Sequence, residues 1–117
     1  MRKKYEDKIQ AFKEIISFNK LEHSQYDTSE LIEGEITFIN GWRLEFMEFQ
    51  SSRKHKYRFH LMNEENELVT RWDTAPHHPE LENSPFHKHT ENTVEPTKEH
   101  EGHNLLEKAC NKTLKHL

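Results

Sequence analysis

Tyr57-Arg58-Phe59-His60-Leu61-Met62 and Leu68-Val69-Thr70-Arg71-Trp72-Asp73 each alternate side to side, and Asn63-Glu64-Glu65-Asn66-Glu67 stands between them. The period of two predicts paired strands, and the polar insert predicts their turn. A four-residue turn at 64 to 67 sets His60 opposite Arg71, Arg58 opposite Asp73, and Met62 opposite Val69. On the other face Phe59 lies against Trp72 and Leu61 against Thr70. One face is then aromatic and buried, whereas the other carries Arg58, His60, Arg71 and Asp73 together.

A second hairpin precedes this one. Ile32, Gly34, Ile36 and Phe38 alternate, Asn40-Gly41 marks a turn, and Trp42, Leu44 and Phe46 alternate on the return. Parity selects the turn length. A two-residue loop would put Ile36 and Phe38 on the opposite face from Leu44 and Phe46. A three-residue loop, Ile39 to Gly41 with Gly41 in a left-handed bulge, pairs Phe38 with Trp42 and gathers the apolar residues on one face. Upstream, Tyr5, Ile9, Phe12, Ile15 and Ile16 recur at spacings of three and four, which predicts an amphipathic helix over residues 2 to 20 with its lysines outward. The polar residues 21 to 29 read as a connection.

Downstream of Asp73 comes Thr-Ala-Pro-His-His-Pro-Glu-Leu-Glu-Asn-Ser-Pro-Phe-His-Lys-His, ending at His89. His77, His78, His87 and His89 sit among Pro76, Pro79 and Pro85, which stiffen the segment by restricting φ and removing amide donors. Imidazole exchanges protons near neutral pH, so a stiff loop loaded with it is a candidate site. The tail to Gly102 is polar. Asn104 to Leu117 predicts a short helix with Leu105, Leu106, Ala109, Cys110 and Leu114 on one side. The expected fold is α+β, in one domain over 1–117. An N-terminal helix (1–20) packs on an antiparallel four-stranded sheet of two hairpins (30–73). A Pro-stiffened, His-rich loop and loose tail (74–103) and a short C-terminal helix (104–117) follow.

Hydrophobic residues make up only 32% of the 117, so the core must rest on seven Phe, three Tyr and two Trp rather than on aliphatic bulk. A net charge of −4 with neutral histidines does not carry the global basic footprint of a nucleic-acid-coating protein. It leaves room for a local basic patch. The lone Cys110 excludes an intrachain disulfide and Cys-rich zinc motifs, and fits a reducing cytoplasm. No apolar run approaches the ~20 residues of a membrane span, and the N-terminus lacks a secretory apolar core. A cytoplasmic protein with no membrane partner is expected.

Strand 57–62, strand 68–73 and the histidine loop bring Arg58, His60, Arg71, Asp73, His77, His78, His87 and His89 to one end of the sheet as candidate catalytic residues. Three chemistries fit them. Metal-free RNA cleavage needs a base for the 2′-hydroxyl, an acid for the leaving oxygen and cations for the phosphorane charge. Histidines supply the first two, Arg58 and Arg71 the third, and Asp73 orients a partner. A metal site is the second: imidazoles with Asp73 would hold Zn²⁺ or Ni²⁺, although no His-Glu-x-x-His motif is present. Third, the residues form no active centre, and Arg58 with Asp73 is only a cross-strand ion pair within a protein- or RNA-binding module. Lys4, Lys8, Lys13 and Lys88 are the candidate RNA-contacting cations. His23, His55, His100, His103 and His116 are expected to be solvated, and Trp42 and Trp72 to be core.

Tyr57-Arg58-Phe59-His60, Arg71-Trp72-Asp73-Thr74-Ala75-Pro76-His77-His78-Pro79-Glu80-Leu81 and Phe86-His87-Lys88-His89 resemble the TumE-type toxins of prokaryotic toxin–antitoxin systems. Thr74 stands where that family has Asn, and Ser84-Pro85-Phe86-His87 replaces its Phe-Pro-His-His. The resemblance implies a toxin with a cognate antitoxin. Helix plus antiparallel sheet is also the arrangement of RelE-like toxins, small metal-free ribonucleases that act on mRNA, often at the ribosome. That analogy implies RNA as target, with no cofactor, zinc being the alternative.

Overall fold

In a computed structural model of the chain, residues 1–74 and 86–117 are described. Among them, seven antiparallel strands follow one another as neighbours in a single meander. The strands are β1 (Ile16–Gln25), β2 (Ser29–Phe38), β3 (Arg43–Ser51), β4 (His55–Met62), β5 (Leu68–Asp73), β6 (His87–Thr90) and β7 (Val94–Pro96). Helix α1 (Arg2–Ala11) precedes the sheet and α2 (Gly102–Leu114) follows it.

The expected four-stranded sheet is therefore corrected to seven strands. The helix predicted over 2–20 ends at Ala11, one 3₁₀ turn covers Lys13–Ile15, and residues 16–25 are strand β1. Ile15 and Ile16 are β-branched, which favours the extended chain at that junction. β1 is an edge strand with most residues exposed on both faces, so it shows no apolar alternation and reads as a loop. The loose tail expected over 74–103 includes β6 and β7. β6 buries His87 and His89 rather than aliphatics, and β7 is only three residues long, so the usual strand signal is missing. The last helix begins two residues before the expected Asn104 and stops at Leu114.

The bulged first hairpin holds. Gly41 has φ +89°, Phe38 N donates to Trp42 O at 2.8 Å, and Ile36 lies opposite Leu44. In the second hairpin Phe59 pairs with Trp72, His60 with Arg71, and Arg58 with Asp73, as the alternation requires. The turn differs. Asn66 adopts φ +66°, Asn63 N donates to Glu67 O, and Met62 pairs with Leu68 rather than Val69 because a bulge follows Leu61. Asn63 Oδ1 accepts from the amides of Glu65 and Glu67, each at 2.9 Å, which stabilises the tighter loop.

Both helices cover one face of the sheet. Ile32, Ile36, Leu44, Phe46, Tyr57, Phe59, Leu61 and Trp72 from the sheet meet Tyr5, Leu105, Leu106, Ala109 and Cys110 from the helices. Tyr5, Phe46 and Phe59 form a stacked column with neighbouring centroids 5.3–6.5 Å apart. Burying Leu105 and Leu106 is worth about 1.5–3 kcal/mol each, enough to hold a 13-residue helix that would be marginal alone, whereas Leu114, expected on the same side, is 48% exposed at the helix end. The opposite face is polar, with two cross-strand rows, Glu45–His60–Arg71–His89 and Met47–Arg58–Asp73–His87.

Candidate functional site

β5 and β6 lie in register, so Asp73 faces His87 and Arg71 faces His89. Directly opposed side chains in an antiparallel pair are about 4.5–5.5 Å apart at Cβ, and the four groups meet at once. His87 Nε2 lies 2.6 Å from Asp73 Oδ1, and His89 Nε2 lies 3.5 Å from Asp73 Oδ2. Arg71 Nε donates to Asp73 Oδ2 at 3.0 Å. Its Nη2 stands 3.2 Å from His89 Nε2, and the two imidazole centroids are 4.8 Å apart. Asp73, His87 and His89 are only 4%, 1% and 7% exposed. A carboxylate at that depth requires partners, and the guanidinium and imidazoles supply them.

One strand away the site opens. His60 is half-buried, Arg58 is exposed, and both line a shallow depression of about 230 Å³ with Glu33, Glu45, Phe46 and Met47. Burial first, then the positive charges of Arg58 and Arg71, hold the His60 pKa below the usual imidazole value. His60 is therefore neutral at pH 7 and able to accept a proton. Arg71, 27% exposed at its side chain, lies opposite His60 in register and bonds into the buried cluster.

Arg58, His60, Arg71, Asp73, His87 and His89 thus share one sheet face, with the last four in direct contact. His77 and His78 lie outside the described residues. Arg58 pairs with Asp73 in backbone register, but the guanidinium that bonds the carboxylate is that of Arg71. The ligand atoms of Asp73, His87 and His89 lie within 4.8 Å of one another, a donor set suited to a transition metal. Arg71 stands against two of those three groups, and a dication there would face a fixed like charge.

The α1 lysines are largely engaged elsewhere. Lys8 Nζ bonds Glu107 Oε2 at 2.6 Å and Lys4 Nζ lies 3.9 Å from Glu101, while Lys13 is exposed on the 3₁₀ turn. Lys88 sits on the helix-covered face opposite Trp72, 3.8 Å from Glu95.

The histidines expected to be solvated are mostly partnered. His55 Nε2 lies 2.6 Å from Glu48 Oε2 and its Nδ1 2.5 Å from Glu99 Oε2. Burial lowers its pKa, but hydrogen bonds to Glu99 and Glu48 and their charges outweigh this and raise it overall. His23 meets Glu30 at 3.2 Å, His103 meets Glu101 at 3.3 Å, and His116 packs on Trp42. One signal was readable beforehand: Glu48 continues the inward series Leu44, Phe46, so a carboxylate occupies an apolar slot and requires buried donors.

A family model described as Toxin TumE matches residues 6–116, nearly the whole chain. No curated protein and no solved structure matches the chain. No helix among the described residues is long and apolar enough to cross a membrane.

Proposed function

This chain belongs to the TumE toxin family, and from that premise we propose that it is the toxin of a toxin–antitoxin pair and acts by cleaving RNA. Its partner is a cognate antitoxin. The observation that carries the RNA reading is a half-buried His60 that shares an open depression with Arg58 and pairs across the strands with Arg71, both cations holding its pKa down.

Each group has a task in that reading. His60 takes the proton of a 2′-hydroxyl, and the resulting oxygen attacks the adjacent phosphorus. Arg58 and Arg71 bind the non-bridging oxygens as negative charge grows on the phosphorane. The bond to the 5′-oxygen then breaks, and that oxygen takes a proton from a second imidazole. The products are a 2′,3′-cyclic phosphate and a 5′-hydroxyl. His77 and His78 are the sequence candidates for that acid and lie outside the described residues. Asp73, with His87 and His89, fixes the Arg71 guanidinium from behind. These three are too buried to touch an RNA strand and act as positioning residues.

The test is incubation of antitoxin-free protein with RNA in EDTA. His60→Ala and Arg71→Ala are expected to lower cleavage at least about 100-fold with unchanged circular dichroism. Cleavage at the wild-type rate in both variants rejects the assignment. Absence of cleavage by wild type that nonetheless arrests growth on expression points instead to a toxin acting by binding.

A further inference from the structure

We infer that the groove between α2 and the β5–β6 end of the sheet binds the phosphodiester backbone of single-stranded RNA. It lies on the face opposite the His60 depression. The inference deepens the RNA reading above by assigning a binding surface, and it does not depend on His60 being the base.

The groove encloses about 880 Å³, and its walls carry Lys88, Lys98, Lys108, Lys112 and Lys115. Among the described residues that line it there is no carboxylate, although Glu95 reaches Lys88 at 3.8 Å. In a chain of net charge −4, that is a strong local segregation of positive charge. His100 and His116 add two imidazoles, Thr97 and Asn111 add neutral hydrogen-bonding groups, and Trp72 forms an almost fully buried floor.

α2 is sorted by charge around its axis. Glu107 faces α1, where it bonds Lys8, while Lys108, Lys112 and Lys115 follow the i, i+4, i+7 stripe toward the groove. Like charges at that spacing destabilise a helix unless a counter-charge answers them. The helix dipole favours Lys112 and Lys115 near the C-terminal end. It gives no reason for Lys88 and Lys98, which approach from β6 and the segment before α2. Burial, and then the charges of Lys88 and Lys115, push the Lys112 pKa down, the direction expected where lysines crowd together.

Charge density selects the occupant. Protein interfaces centre on aromatic and aliphatic anchors in pockets. Here the aromatic floor, Trp72, is 4% exposed, and the described groups on the walls are cationic or polar. A polyphosphate chain satisfies such walls better than a peptide.

The experiment measures fluorescence anisotropy of a labelled oligouridine with the full chain bearing His60→Ala, so that RNA is not consumed. The triple variant K98Q/K108Q/K115Q removes exposed lysines only. It should bind about 100-fold more weakly near 0.1 M salt and flatten the log K against log salt slope by about 2, at ~0.7 per lost phosphate contact. K3Q/K20Q, at exposed lysines of α1 and β1 away from the groove, should bind as the parent does. Unchanged binding in the triple variant overturns the groove, as does no binding by the parent. Tighter binding of polyglutamate than of oligouridine also overturns it and assigns the surface to an acidic protein. Failed cleavage by wild type with intact, groove-dependent binding removes the catalytic reading alone.

Discussion

The Tyr5 hydroxyl donates to Glu48 Oε1 at 2.5 Å, a buried bond that ties the first helix to the third strand. Glu48 is 3% exposed. Its other oxygen accepts from Gly102 N at 3.1 Å and meets His55 at 2.6 Å. One carboxylate therefore joins α1, β3, β4 and the start of α2. Glu48→Ala leaves three donors facing an apolar gap and should cost about 3–5 kcal/mol in chemical denaturation. Tyr5→Phe removes one of the three donors and should cost about 1–2 kcal/mol. Equal losses in the two variants would show that the carboxylate does not act as a hub.

Both ring nitrogens of His55 contact carboxylates, an arrangement that only the protonated ring can serve as a double donor. Its pKa in the folded chain is raised, so its contribution to stability is complete below the unfolded value near 6.5. That contribution is lost as pH rises through the folded value. Denaturation midpoints should fall on the alkaline side of about pH 6.5, and His55→Asn should remove that component. A wild-type profile no steeper than the variant's would contradict this linkage.

His60 moves the other way. With its pKa lowered by burial, Arg58 and Arg71, a base at this position stays active below the usual imidazole midpoint. RNA cleavage should rise with pH along an acid limb centred below about 6.5. Neutralising the flanking charges in Arg58→Gln should shift that limb upward. An unshifted limb would assign the titration to another group.

Asp73→Asn leaves the carboxylate's place but removes the charge that holds Arg71, His87 and His89. It should destabilise the fold by about 3 kcal/mol and depress cleavage through a disordered Arg71. Because Arg71 already faces two of the three potential ligands, cleavage should persist in EDTA, and elemental analysis should find no stoichiometric zinc. One zinc per chain would establish a metal centre on these residues.

Gly102 opens α2 against the same hub. A Cβ there would overlap the Tyr5 hydroxyl and the Glu48 carboxylate, so Gly102→Ala should force the helix away and cost about 1–3 kcal/mol. Retention of wild-type stability would mean that the helix start can shift without loss.

Local periodicity determined the two central hairpins. Their inward residues are large and apolar, their outward ones polar, and a one-residue slip would reverse both sets. The register of His60 with Arg71, the Gly41 bulge and the segregation of Arg58, His60, Arg71 and Asp73 on one face were legible for that reason, as was the α2 stripe from Leu105 to Cys110, though not Leu114. Elsewhere the signal was absent. β1 is solvated on both faces and β6 buries histidines, so neither carries alternation, and the Tyr5–Ile16 helical period ran past the true end of α1. Depth, pairing and charge environment were decided in three dimensions. Only the addition of β6 in register with β5 brings His87 onto Asp73, and only the fold of Glu48 under two helices sets His55 half-buried between two carboxylates. Sequence spacing reports which face a side chain takes. Which distant group meets it there depends on strand order and helix docking, which are set by the whole core at once.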